Sequence, residues 1–367
     1  SIVTGIFQMV IDVSKITGSI YLHQIVSRGV YISIQYQLNT FTSSVCTCTR
    51  SQVLLSSTSG IYESLAIASS SSSSSSSSQL SSPEFKTMVR SVTKAQVHGL
   101  SLVSAFTEST GNVNALVLLL QELLARMLSL LPMLLSVTSS SVIFVEEISH
   151  GFAQSVSKYI IHVYNFLTTI QIETIIRNAA TSTVQGVGSM RVAGGFNGNS
   201  TTLDATQFIT SMERCSKIWI SSLTLFVDTD VSLSNQSNTV QTLMTTFTAA
   251  SMEEIIALPS AQQGTNSELQ KLVGAISRGS MNGASVILMD DTVSYYNLDV
   301  MISSTRHAIQ QLMTQTITLS AARSSNGGGA WEVADSAAMV RQVTNGVIGS
   351  ISSMSASTHL STPTDVQ

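Results

Sequence analysis

Three carboxylates, Asp204, Asp228 and Glu254, stand at near-even intervals in this 367-residue chain. Each closes a short apolar run: "TTLD", "TLFVD" and "ASMEE". Carboxylates brought together repel one another unless a cation holds them, and an all-oxygen ligand set favours Mg2+ or Mn2+. The pattern therefore predicts a divalent-metal centre, with Glu253 as the alternative third ligand if the register slips by one. For any single residue, capping a helix or facing solvent is the plainer role. Three in succession, with Glu173 before them and Arg278 after, favour a site.

Positioning such a set requires elements that all end on one face. Apolar runs end at Glu146, Glu173, Asp204, Asp228, Glu254, Arg278, Ser303 and Glu332, about 24–31 residues apart. That interval holds one strand, one helix and two loops. Eight such units predict a (β/α)8-type (TIM-like) barrel over residues 136–335, with each terminal residue at the carboxyl face, where barrel sites are built. The units share no identity, so a solenoid is not expected. Upstream, "VYISIQYQL" alternates Ile32, Ile34, Tyr36 and Leu38 with polar residues, which reads as a strand of a small antiparallel sheet. The pattern turns helical from about Ser82 to Ser136. Residues 1–135 are thus expected to form an α+β capping domain, and 336–367 a C-terminal segment returning toward it.

Composition narrows the partners. Charged residues make up 10% of the chain and the net charge is -4, which points to neither nucleic acid nor an anionic membrane. Mean hydropathy is +0.30. The most apolar stretch, Val113–Val137, carries Gln121, Glu122 and Arg126 at its centre, so it reads as a buried helix rather than a membrane span. Cys46, Cys48 and Cys215 form neither a disulfide framework nor a zinc pattern. The first residues lack the basic segment of a signal peptide, and a cytoplasmic protein is expected. Ser69–Ser78 is an unbroken serine run with nothing to bury. Either a partner holds it, or the letters follow side-chain shape rather than a gene. On the second expectation, shape and spacing are better evidence than chemical identity.

In order and spacing, these stretches resemble the enolase superfamily, most closely its muconate cycloisomerase branch. "LDATQF", "LFVDTDVS" and "SMEEI" look like the three metal-ligand segments, "SRGSMNGAS" like the segment bearing a lysine across the site, and "WEVADSAAMVRQVTNG" like the last-strand glutamate region. "TIQIET" sits where the family has a K-x-K pair. The resemblance implies Asp204, Asp228 and Glu254 as ligands of Mn2+ (or Mg2+). It implies Glu173, Gln171, Arg278 and Glu332 around a small dicarboxylate or lactone, which is converted through a metal-stabilised enediolate. It also implies a homo-octamer, and loops near Ile16–Ser27 and Arg50–Ser57 that close over the substrate. Gln171 and Glu173 depart from the K-x-K pattern and put the base in doubt; if the chain is a cycloisomerase, the resemblance implies lysines at both positions. Two alternatives stand beside this reading: another superfamily member (racemase, epimerase or sugar-acid dehydratase), and a non-catalytic Ser/Thr-rich structural protein.

Overall fold

The computed structural model of the chain describes residues 22–40, 50–70, 82–101, 113–130, 141–163, 167–192, 203–222, 233–258, 265–288 and 333–357, with the single positions 310, 314 and 318. Among the described residues there are ten long helices and no strand. They are α1 (Leu22–Thr40), α2 (Arg50–Ser70), α3 (Ser82–Ser101), α4 (Val113–Ser129), α5 (Ser141–Val163), α6 (Thr169–Val192), α7 (Ala205–Ser221), α8 (Leu233–Ala257), α9 (Asn266–Leu288) and α10 (Val333–Ser357). The chain divides into two compact units, Ser1–Ser211 and Met212–Gln367, with the boundary inside α7.

The expected (β/α)8 barrel and antiparallel capping sheet are therefore overturned. "SVIFVE" lies in α5, "TIQIE" opens α6, "TTLD" leads into α7, "ASMEE" falls near the end of α8 and "GAISR" lies within α9. The runs ending at Asp228, Ser303 and Glu332 lie outside the described residues. From α1 to α9 successive helix starts lie 28–36 residues apart, so one helix plus one connection fills a comparable interval. A run of three to five apolar residues cannot separate strand from helix; the longer stripe decides.

Helix α1 shows this most clearly. Its alternation predicts Ile32, Ile34 and Tyr36 on one buried face. Ile34 is 1% exposed, whereas Ile32 is 52% and Tyr36 68% exposed. The buried set is Val26, Val30 and Ile34, spaced by four, which is a helical stripe. In α4, Leu116, Leu120, Leu123, Leu124, Met127 and Leu128 are buried, so this stretch is a core helix.

In the first unit α3 is the central helix, packed on α1 and on α5, while α4 packs on α6 and α2. Phe85 of α3 meets Phe144 of α5 edge-to-face, with ring centroids 5.5 Å apart. Glycine sits where the axes come closest. A Cβ on Gly99 would lie 2.9 Å from the Tyr31 carbonyl oxygen, and one on Gly151 would lie 2.7 Å from that of Arg90. In the second unit α9 is central, packed on α10 and α8. Gly283 of α9 faces the Lys217 carbonyl oxygen of α7, where a Cβ would lie 2.6 Å away, and Gly279 faces that of Glu213 more tightly still. Trp219 of α7 stacks on Phe247 of α8 with centroids 5.5 Å apart.

The abundant Ser and Thr are accommodated by a local device. Buried hydroxyls donate to the carbonyl one turn back: Thr93 to Val89 at 2.9 Å, Thr183 to Ala179 at 2.8 Å, Thr248 to Met244 at 2.8 Å, Ser277 to Val273 at 2.8 Å. A hydroxyl so bonded is satisfied without a partner helix, so it packs much as a small apolar group does.

Two glycines of the second unit should respond oppositely to alanine. Gly349 of α10 has open space around a Cβ, so Gly349→Ala should stabilise by about 0.5–1 kcal/mol through helix propensity. Gly279→Ala drives a methyl into backbone and should destabilise by about 1–3 kcal/mol. Urea unfolding followed by circular dichroism reads both, and equal effects would contradict the close approach.

Candidate functional site

The residues expected to do chemistry serve the helices. Gln171 lies in the first turn of α6. Its Oε1 accepts from the Thr168 backbone N–H at 2.9 Å, and Thr168 Oγ1 accepts from the Gln171 N–H at 3.3 Å. This is a capping box, T-x-x-Q, which satisfies two N–H groups that a helix start leaves unpaired. Asp204 does the same for α7: its Oδ1 accepts from the Gln207 N–H at 2.8 Å, and Gln207 Oε1 accepts from the Asp204 N–H at 3.2 Å. Thr265 and Glu268 repeat the motif ahead of α9, at 3.0 and 3.3 Å. An acceptor is required at the third helical position, and a lysine has none. Gln171 supplies that acceptor here.

Glu173 is half-buried in α6, just past its first turn. Glu253 is exposed and Glu254 half-buried in the last turn of α8. Arg278, in the middle of α9, donates from Nη1 to Glu213 Oε2 of α7 at 2.7 Å. Asp228 and Glu332 lie outside the described residues. Among the described residues no three His, Cys, Asp or Glu side chains come together to hold a metal ion.

A different cluster is brought together in the first unit. Residues Gln24, Ser27, Arg28 and Tyr31 of α1 line one wall of a cleft of about 410 Å3. Ser91, Lys94, Ala95 and His98 of α3 form its floor, and Gln154, Ser155 and Lys158 of α5 the other wall. Both four-residue sets follow the i, i+3, i+4, i+7 spacing of a single helix face. The lining carries Arg28, Lys94 and Lys158 as cations and no carboxylate. Tyr31 and His98 stack across the α1–α3 seam, with centroids 5.1 Å apart and planes at 21°. Glu147 of α5 is taken by Arg90 of α3, whose Nε lies 2.5 Å from its Oε2.

Electrostatics record the crowding of positive charge. Burial, then the neighbouring Arg90 and Lys158, hold the Lys94 ammonium below the ordinary lysine range, against a smaller opposing pull from Glu147. His150, half-buried in α5, is likewise held below the ordinary histidine value by burial and then by Arg90, with Lys94 adding to it. Tyr159, buried in the same helix, has its phenol pushed up to about 12 by desolvation. Sequence reading missed this cluster because Tyr31 fell in a presumed strand, with Arg28 just ahead of it. The signal was there: two helical-spaced polar sets, each with a cation and an aromatic ring.

No family model matches the chain, and no curated protein matches it. Among solved structures it is similar to a "circular tandem repeat protein with novel repeat topology and enhanced subunit contact surfaces". Identity is 10% over 95% of this chain and 83% of that one, and the TM-score is 0.22, at which the likeness carries no argument. The described residues form helices and no strand. That overturns the resemblance to the enolase superfamily and its cycloisomerase branch, because the strands meant to carry the ligands are absent among the described residues. No described helix is long and apolar enough to cross a membrane.

Two outcomes test these assignments. Asp204→Ala should cost about 1 kcal/mol of unfolding free energy, whereas Asp204→Asn, an equally good cap, should cost almost nothing; a deficit in both variants would point to a role for the charge itself. For His150, the unfolded chain takes up a proton near pH 6.5 while the folded chain resists it. Stability should therefore fall as pH drops below about 6.5, and His150→Gln should flatten that slope in urea titrations at pH 7 and pH 5.

Proposed function

We propose that the chain is a non-catalytic helical protein that acts by presenting its helix faces to a ligand or partner. The observation that carries this reading is the use to which its chemistry-bearing residues are put. Gln171 and Asp204 close helix ends, and Arg278 ties α9 to α7 through Glu213. Groups committed to capping or ion pairing are poorly placed to move protons on a substrate, since each role holds the side chain in one hydrogen-bonded geometry. The outer surface of α1 supports association: Ile25, Ile32 and Tyr36 lie along one exposed helical stripe, separate from its buried one.

Solvent deuterium exchange tests the reading. The protein, incubated in D2O with Mn2+ and a set of small dicarboxylates and lactones, should give no deuterium incorporation above buffer at the carbon next to the carboxylate. Protein-dependent incorporation that is lost in Glu173→Gln would reject the proposal.

A further inference from the structure

We infer that the cleft between α1, α3 and α5 is a binding site for a small polyanion of the phosphoanhydride class, with Arg28, Lys94 and Lys158 as its charge-bearing contacts. The inference does not depend on the non-catalytic reading above.

Charge is the first argument. The chain carries a net charge of -4, yet three cations and His98 line one cleft with no carboxylate among them. They come from three different helices, so the cluster is a product of folding rather than of a basic run in the sequence. The Arg90–Glu147 pair beside the cleft leaves that acid engaged elsewhere. Within the cluster, Lys158 adds to burial and to Arg90 in holding the Lys94 ammonium below its ordinary range.

Size and shape select among anions. A cleft of about 410 Å3 lies in the usual range for small-molecule sites and exceeds what one orthophosphate fills. Cations on both walls and on the floor suit a ligand with charge at more than one point. Arg28 offers a planar fork that matches two phosphate oxygens, and the lysines act as point charges beside it. Ser27 and Ser155 donate their hydroxyl protons to their own helices, to Gln24 O at 3.0 Å and Gly151 O at 2.9 Å. Recognition therefore falls mainly to the cations and to the carboxamides of Gln24 and Gln154, with Ser91 on the floor. The stacked Tyr31–His98 pair holds the seam between wall and floor, fixing Arg28 one turn away relative to Lys94.

Isothermal titration calorimetry of the full chain with inorganic pyrophosphate and with tripolyphosphate is the test, with orthophosphate as the single-phosphate comparison. The expected result is one saturable site for each polyphosphate, at least tenfold weaker binding of orthophosphate, and affinity that falls with added salt. Lys94→Gln and Lys158→Gln should each weaken pyrophosphate binding at least tenfold. Lys271→Gln, in the second unit, should leave it unchanged. Thermal melts keep the result interpretable. Lys94→Gln should melt at or above the parent temperature without ligand, because a repulsive charge is removed, and should lose most of the rise that pyrophosphate gives the parent. Equal affinity in Lys94→Gln and Lys271→Gln, or no saturable binding of either polyphosphate to a parent chain that is folded, would overturn the inference.

Discussion

Helix axes in this protein approach until backbone meets backbone, and the glycines at those crossings are the constraint on which the arrangement rests. In the first unit Gly99 of α3 lies against α1, and Gly151 of α5 lies against α3. In the second unit Gly279 and Gly283 let α7 sit down on α9, while Gly346 comes within a Cβ's reach of the Gly274 carbonyl on the α10 side. Close-packed interiors forfeit much of their dispersion energy when a gap of even a fraction of an ångström opens. The same crossings set the cleft: α1 and α5 are drawn in on opposite flanks of α3, which brings Arg28 and Lys158 to the two sides of Lys94.

Several polar groups inside the bundle find partners within their own helix, while the buried hydroxyls of Ser157, Ser182, Ser211, Ser216 and Ser251 have none. A few reach across. Tyr62 of α2 shares a 3.0 Å hydrogen bond with Thr93 of α3, and Thr58 donates to Gln96 Oε1 at 3.0 Å. All four residues are buried. Desolvation raises the Tyr62 phenol far above its ordinary value, so it stays a neutral donor. An interhelical bond of this kind fixes sliding and rotation of α2 on α3 in a way apolar contacts do not, since a shift leaves a buried group unsatisfied.

The sequence made helix content legible where the stripe was long and unambiguous, as in Val113–Ser129, where burial followed the apolar pattern. It misled where β-branched residues happened to alternate. Ile32 and Tyr36 share a parity with Ile34, but only Ile34 belongs to the four-residue stripe that packs. The capping boxes were also readable: Thr168 and Gln171, Asp204 and Gln207, Thr265 and Glu268 are spaced by three at helix starts. Read as ends of strands, the same residues looked like ligands and bases. The cleft was harder to see because its three cations come from distant parts of the chain. Each looks like an ordinary surface charge until the helices are laid side by side.

The self-bonded hydroxyls carry a consequence for how such a protein can change over generations. A serine or threonine that bonds the carbonyl one turn back asks nothing of its neighbour, so exchange with alanine removes donor and demand together. Positions such as Thr183 and Ser277 can drift without disturbing the next helix. The crossing glycines cannot, because the first atom of any side chain already collides. Divergence in this fold would leave a sparse set of fixed glycines in a background of freely traded small residues.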